Sequence, residues 1–570
     1  MIHRYPLTYN PILEYWELIE SGQETVSHKV RVFYEYQANR ILQPDPTAEF
    51  VYSPKRALHA VEFIEGYCRH SKGSAGGKPF LMEVWQRAFV ACIFGWIDDS
   101  GFRQYQEALM IVGKKNGKST LAAGIGLYMM VADGEPGAEV YAVATKRDQA
   151  KIIWNEASRM VKKSGYLHYT RENQRGVIRT KVGELTADYN DSVFKPLGRD
   201  SDTQDGLNVH CALLDEIHAW PPSLRDLYTI VTDGVTARDQ PLILETTTAG
   251  VVREAIYDEQ YDRAEKKINA LEEGREIDVH FMPVVYELDD KDTWKDPEHW
   301  KEANPGLGTI NKKKQLADKV ARAIANPKAV RNLLTKEFNI PETGSESWLS
   351  FSELNNQETF DISALRPRYG IGGTDLSSTT DLTAAVVIFR VPEDQNVYVL
   401  VMFWIPEDLV EKRTKEDQIP YDVWIKQGFM RTCAGNHVDD SDVVEWFREV
   451  QEDLDCYLFG VGYDAWSAQR WVKDMTEQFG EIMTPVPQTM KSLSAPMQQL
   501  GADLASKLVN YNNNPVLKWC LANTGILKDK NGNQKPVKTS NPRKRIDGLA
   551  ALLDAYVVYQ DHMSDYLSVI

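Results

Sequence analysis

A chain of 570 residues exceeds what one hydrophobic core usually supports and predicts two to four domains. The 43% hydrophobic and 10% aromatic content suits globular folding, and a formal charge of −17 argues against a surface coated throughout with nucleic acid, while leaving room for a local basic channel. The longest apolar runs, such as Leu121–Ala132, are broken by Gly and too short to span a bilayer, and Met1-Ile2-His3-Arg4-Tyr5-Pro6 carries no signal core, so a cytoplasmic protein without a membrane partner is expected. The six cysteines form no Cys-x-x-Cys pair, which argues against structural zinc and a disulfide framework and predicts reduced, mostly buried thiols.

Three regions follow one another. Residues 1–75 are mixed and partly helical, ending in a Gly-rich stretch from Ser71 to Gly77. Residues 76–345 alternate strand and helix patterns, the mark of an α/β fold with a parallel sheet. Residues 346–570, opening at the turn-like Pro341–Ser345, run through a meander of three strands and then alternate helices and strands.

Early in the second region, Leu81-Met82-Glu83-Val84-Trp85-Gln86 has two readings of equal weight: Gln86 offers its amide to an adenine, or the segment is an amphipathic helix with Trp85 in the core. Next, Glu107–Val112 reads as a buried strand, followed by Gly113-Lys114-Lys115-Asn116-Gly117-Lys118-Ser119-Thr120 and an apolar helix from Leu121. Strand, Gly-containing loop and helix are the setting of a phosphate-binding loop, in which backbone N–H groups hold phosphates, Lys118 reaches the β and γ phosphates of ATP and Ser119 ligates Mg²⁺. Val112 stands where the usual pattern has Gly. Arg147, just past the strand Val140–Ala144, and Arg238 are candidates for a charge-stabilising arginine.

The apolar strand Val209–Leu214 ends in Asp215-Glu216. Asp215 is placed to hold Mg²⁺ and Glu216 to polarise the attacking water. His210 and His218 lie beside this pair, but no third His or Cys stands at metal spacing, so packing or surface roles are expected. A further strand, Pro241–Leu244, leads into Glu245-Thr246-Thr247-Thr248-Ala249-Gly250, whose Thr248 hydroxyl is a candidate γ-phosphate sensor.

The third region carries separated acids. Tyr369–Asp375 is a strand ending in a carboxylate, Leu382–Phe389 and Val397–Trp404 follow as strands, a helix spans Asp442–Leu454, and Leu458–Tyr463 is a strand ending at Asp464. Asp547 opens a late Ala- and Leu-rich helix. Three antiparallel strands, a helix, a parallel strand and a late helix form the order of a ribonuclease-H-like mixed-sheet fold, which places acids at the positions filled by Asp375, Asp464 and Asp547. Hard oxygen ligands suit two Mg²⁺ or Mn²⁺ ions about 3.5–4 Å apart, the arrangement that cuts a phosphodiester. Asp381 and Asp439 read as turn or cap residues. Lys535, Lys538, Arg543, Lys544 and Arg545 form a basic cluster suited to DNA phosphates.

The ordered set resembles the large subunit of tailed-bacteriophage terminases. Gly113–Ser119 resembles that family's variant phosphate loop, with Lys114 where an Arg commonly stands. Thr145–Lys151, Asp205–His210 leading into Asp215-Glu216-Ile217-His218, and the Thr246–Gly250 coupling motif follow in the family's order. Ala434–Asp439 and Ser492–Met497 resemble further family segments, and Asp375, Asp464 and Asp547 match its nuclease acids. The resemblance implies an additional-strand, conserved-glutamate type ATPase domain ahead of the nuclease domain. It implies ATP-driven translocation of double-stranded viral DNA into a procapsid and metal-dependent cutting of concatemers. It also implies a small terminase subunit and the portal as partners, a homo-oligomeric ring on the portal with a monomer in solution left open, and residence in the host cytoplasm rather than the mature virion. Two other readings stand beside it. One is a repair helicase–nuclease, because Asp215-Glu216-Ile217-His218 resembles a helicase box, and the other is a scaffold that binds without catalysis.

Overall fold

The computed structural model describes all residues except 1–4, 199–205, 222–223, 251–255, 342–347, 377–381, 415–416, 418, 465–468, 531 and 539–544. Asp205, Asp381, Arg543 and Lys544 lie outside the described residues. The chain forms two compact units, one of Met1–Gly250 with Ala255–Pro341, the other holding Glu342–Ile570.

The first unit is built on an eight-stranded sheet. In chain order its strands are β1 (Glu107–Ile111), β2 (Glu139–Val143), β3 (Arg179–Lys181), β4 (Glu184–Ala187), β5 (Ser192–Leu197), β6 (Val209–Asp215), β7 (Leu242–Thr247) and β8 (Phe281–Val285). In space they run β8-β1-β7-β6-β2-β5-β4-β3, parallel from β8 to β5, with β4 and β3 added antiparallel at the edge. Strand β6 is buried at every position, as a parallel strand covered on both faces must be. Strand β7 lies between the strand leading to the phosphate loop and the strand ending in Asp215, which is the inserted strand of the additional-strand ATPase class.

Four helices cover one face: α1 (Pro11–Glu20), α2 (His28–Leu42), α3 (Pro54–Tyr67) and α4 (Val84–Gly95). Asn10, Ser27 and Ser53 accept backbone N–H bonds at the first three N-termini, and Pro11 and Pro54 stand where no N–H is needed. Ile12, Phe33 and Ile64 share one core with Met110, Leu121 and Leu213, so residues 1–75 pack as part of the motor sheet's cover. Further along the same unit come α5 (Lys118–Val131), α6 (Arg147–Lys163) and α7 (Pro327–Glu337). Deeper in the sheet, Asp133 is held between Arg103 and His210, whose Nε2 stands 2.9 Å from Asp133 Oδ2. Burial opposes ionisation of Asp133, yet these two partners hold its carboxyl below the usual range. His210 is thus a buried core histidine at the start of β6, tied to Asp133 through Nε2.

The second unit has a seven-stranded mixed sheet. Its main strands are β9 (Tyr369–Asp375), β10 (Thr383–Phe389), β11 (Val397–Pro406), β12 (Met430–Cys433), β13 (Tyr457–Tyr463) and β14 (Met483–Pro485), ordered β12-β11-β10-β9-β13-β14. Strands β9, β10 and β11 form the antiparallel meander, and β13 joins β9 in parallel. This is the ribonuclease-H-like order expected from the sequence. Between meander and parallel strand lies α8 (Asp440–Leu454), with Asp439 accepting the Ser441 N–H as its N-cap. All six cysteines are buried and reduced. Among the described residues no helix is long and apolar enough to cross a membrane.

Candidate active sites

The phosphate loop leaves the C-terminal end of β1 and enters α5 at Lys118, one turn earlier than the apolar pattern suggested. Two residues take left-handed backbone: Lys115 at φ 70° and Gly117 at φ 85°, the latter the N-cap of α5. Among the described residues no side chain caps that helix, so its first N–H groups face the loop's hollow, the arrangement that receives phosphate. Gly113 has no room for a side chain, because a Cβ would stand 2.4 Å from Asn304 Oδ1 and 2.6 Å from Glu337 O. Asn116 is fully buried and fixes the loop from behind: its Nδ2 donates to Gly113 O and Asn304 Oδ1, and its Oδ1 accepts the Gly306 N–H.

Lys118 Nζ donates to Val112 O at 3.3 Å and lies 3.5 Å from Glu216 Oε1. Glu216 follows β6 in a left-handed conformation (φ 52°), its N–H bonded to Thr246 O. Asp215 is buried and accepts a bond from the Thr246 hydroxyl at 3.1 Å. Burial, then the neighbouring Glu216 charge, pushes the Asp215 carboxyl up to about 6. Burial opposes ionisation of Glu216 too, but His218 and Lys118 hold it down at about 2. An ionised glutamate beside a carboxylate that lacks a full countercharge suits a site completed by a cation.

Thr248 is buried at the end of β7, its hydroxyl 3.5 Å from His218 Nδ1. Lys114 is half-buried and Lys115 exposed. The Thr120 hydroxyl donates to Glu156 at 3.3 Å, tying α5 to α6. The structure shows the helix reading of this segment, with one donor of Gln86 left over. Trp85 is buried and Gln86 Oε1 accepts the Glu83 N–H in a capping box. Gln86 Nε2, 3.4 Å from where a Gly117 Cβ would be, is buried with no bonding partner among the described residues. A buried, unpartnered amide N–H at the loop is an open donor for a ligand.

The two arginine candidates separate. Arg147 follows β2 at the sheet end that carries the phosphate loop. Arg238 is ion-paired to Glu135 and bonded to Gly137 O and Asn208 O, all ahead of β2 and β6 at the opposite end, so it clamps loops there and stands away from the phosphate loop.

In the second unit, helix α9 (Asp547–Asp561) crosses β9 and β13 antiparallel to them. The crossing is close because the strands present glycine. A Cβ on Gly373 would lie 2.1 Å from Ala551 O, and one on Gly462 2.3 Å from Asp554 O. Gly373 and Thr374 pair with Gly462 and Tyr463, so Asp375 and Asp464 leave neighbouring strands side by side, about 4.8 Å apart by strand spacing. From Ala551 back to Asp547 the helix rises about 6 Å, and from Gly373 to Asp375 the strand advances about 6.6 Å. All three acids therefore reach the same end of the sheet. Consistently, burial and then the Asp547 and Asp375 charges push the Cys520 thiol well up. Likewise burial, with the Asp464 charge adding to it, pushes up the Asp554 carboxyl, which Gln488 Nε2 contacts at 3.0 Å. Among the described residues no three His, Cys, Asp or Glu side chains stand close enough to hold a metal ion as they are. The acids share a rim without forming a closed cage.

Arg545 departs from expectation. It is buried and lies 3.3 Å from Asp417, so it anchors the start of α9 and is not available to DNA phosphates. Lys535 and Lys538 stand on the hairpin strand Gln534–Lys538, paired with Thr524–Lys528.

Because α9 rests on bare strand backbone, Gly373→Ala must lift it and carry Asp547 away from Asp375. Cleavage of plasmid is expected to fall about 100-fold, the cost of misplacing a reacting group by about 1 Å, with ATP hydrolysis retained. Wild-type cleavage by this variant would mean that Asp547 is not needed where the helix puts it.

The family model described as terminase large subunit, ATPase domain, matches residues 84–266, and that described as terminase large subunit, endonuclease domain, matches residues 275–562. The chain belongs to the terminase large subunit family, and it is an ATPase and an endonuclease that uses nucleotide and divalent metal. It is 28% identical over 502 residues to the terminase large subunit of Enterobacteria phage HK97, covering 87% of this chain and 94% of that one. Over 515 residues it is 22% identical to the terminase large subunit of Lactococcus phage p2, covering 88% and 92%. The crystal structure of the HK97 large terminase is similar at 26% identity and a TM-score of 0.46, covering 88% of this chain and 99% of that one. The helicase–nuclease and scaffold readings are not favoured.

Proposed function

We propose that the first unit uses ATP with Mg²⁺ to drive double-stranded viral DNA into a procapsid, and that the second cuts concatemeric DNA with two Mg²⁺ or Mn²⁺ ions. The observation that carries the motor reading is the Lys118–Glu216 contact. Phosphates entering the loop compete for the Lys118 ammonium, and Glu216, freed from it, is left to orient and deprotonate the attacking water. Asp215 and Ser119 would hold Mg²⁺, which supplies charge neutralisation at the β and γ phosphates. Gly113 to Thr120 supply the cradle, Lys114 adds positive charge without the fork of an arginine, Gln86 meets the base, and Thr248 senses the γ-phosphate.

In the second unit, Asp375, Asp464 and Asp547 would hold the ions that activate water and stabilise the leaving oxygen. Like charges at one rim repel until cations offset them, which fits a set of acids gathered but not closed. Lys535 and Lys538 track the DNA backbone, a contact without base readout. The net charge of −17 supports docking on protein partners, here the small terminase subunit and the portal, with several copies forming a ring there in the host cytoplasm.

The test is plasmid cleavage by purified protein, titrated with Mg²⁺ and Mn²⁺ and then with chelator. Cutting is expected to require metal, return on its re-addition, and rise with the square of metal concentration at low occupancy. Cutting that persists in chelator would overturn the two-ion reading.

A further inference from the structure

His218 lies between the water-activating glutamate and a lysine from a distant helix. Its Nδ1 stands 3.0 Å from Glu216 Oε2 and 2.9 Å from Thr247 Oγ1. Its Nε2 meets the Nζ of Lys336, on α7, the helix that precedes the crossover to the second unit. The chemistry of these partners assigns the ring's protons. A carboxylate only accepts, and the Thr247 hydroxyl already donates to Thr248 O, so Nδ1 carries the hydrogen. An ammonium only donates, so Nε2 offers its lone pair to Lys336. The imidazole is therefore neutral and locked in one tautomer, consistent with burial, which lowers its pKa.

We propose that His218 is a positioning residue for Glu216 and that Lys336, by occupying Nε2, keeps the ring neutral with Nδ1–H toward Thr247 Oγ1 and the Glu216 carboxylate alongside. Withdrawing Lys336 opens Nε2 to a proton, and the resulting imidazolium pairs with the Glu216 carboxylate more tightly than a neutral ring does, making it a weaker base. The same helix end touches the rest of the site. Lys336 O accepts the Lys114 N–H at 2.9 Å, Lys336 Nζ reaches Ala249 O at 3.4 Å, and Asn339 Oδ1 accepts the Ala249 N–H at 3.1 Å. A displacement of this helix end thus reaches the phosphate loop, the coupling segment after β7 and the glutamate together. The proposal rests on Glu216 acting as the water-activating group.

The experiment is steady-state ATP hydrolysis by the full chain. His218→Ala is expected to lower kcat about 10- to 100-fold with KM for ATP within about twofold, since a misaimed base affects the transition state and not substrate binding. Lys336→Met shifts kcat the same way, and adding it to His218→Ala costs nothing further, because both act through one carboxylate. His218→Asn restores most of kcat, placing an N–H where Nδ1 stands, and in that background Lys336→Met is silent. If His218→Ala fails to fold, the His218→Asn and Lys336→Met pair carries the test. The idea is overturned if Lys336→Met costs as much in the His218→Asn background as in wild type, or if His218→Ala raises KM at unchanged kcat. If Glu216→Gln itself hydrolyses ATP normally, the reading of Glu216 fails first, and that outcome is distinct from both.

Discussion

Replacing Lys118 with alanine is expected to lower ATP hydrolysis on the order of 10²- to 10³-fold, the loss typical of removing one charge-stabilising donor from a preorganised site. Lys118 bonds Val112 O and faces Glu216. In the function proposed above, the same ammonium, at the start of α5, meets the phosphates. Glu216 keeps His218 when Lys118 is gone, so the fold should survive. Thermal unfolding and metal-dependent cutting by the second unit are the controls, and both should be retained. ATP turnover near the wild-type rate in a folded Lys118→Ala protein would remove the phosphate loop from the mechanism.

Asp375→Asn is expected to abolish cutting, at least about 10³-fold, while ATP hydrolysis continues. A metal-assisted displacement draws several kcal/mol from its ions, and each step of about 1.36 kcal/mol is tenfold in rate. Asparagine keeps the shape of the side chain and removes the charge proposed to hold a cation. Asp375 ends the central strand of its sheet, half-buried, beside the strand that leads to Asp464, so its loss opens the site without disturbing the core. Plasmid nicking and linearisation, measured with ATPase on the same sample, separate the two active sites. Unchanged cutting would show that the acids at this rim are not the nuclease.

Much of both units is legible in the chain. The phosphate loop is contiguous, and its function depends on backbone between one strand and one helix, so a single run of successive residues, Gly113 to Thr120, suffices to announce it. Asp215-Glu216 and the Thr246–Gly250 stretch announce themselves for the same reason, since each sits at the end of an apolar strand. The three acids proposed for the nuclease, Asp375, Asp464 and Asp547, are far apart in sequence, yet each marks the end of a periodic element, and the order of elements implies their meeting.

Other features were not legible because they are made by atoms remote in sequence. Asn116 reads as a loop residue until Asn304 and Gly306 are seen to hold it. Arg238 reads as an available charge until its loops place it at the wrong sheet end, and Arg545 reads as part of a basic cluster until Asp417 buries it. His218 stands in a recognisable box, but Lys336 is 118 residues away, in a helix that carries no motif.

The sequence by itself determined the two chemistries, the order of the elements and the side chains that carry charge, because local backbone geometry and apolar periodicity are written in neighbouring residues. Only the tertiary structure decided which of those charges are free to act. A charged side chain becomes a clamp, a ligand or a positioning group according to what is packed against it, and that partner comes from whichever distant segment the fold brings within hydrogen-bonding distance.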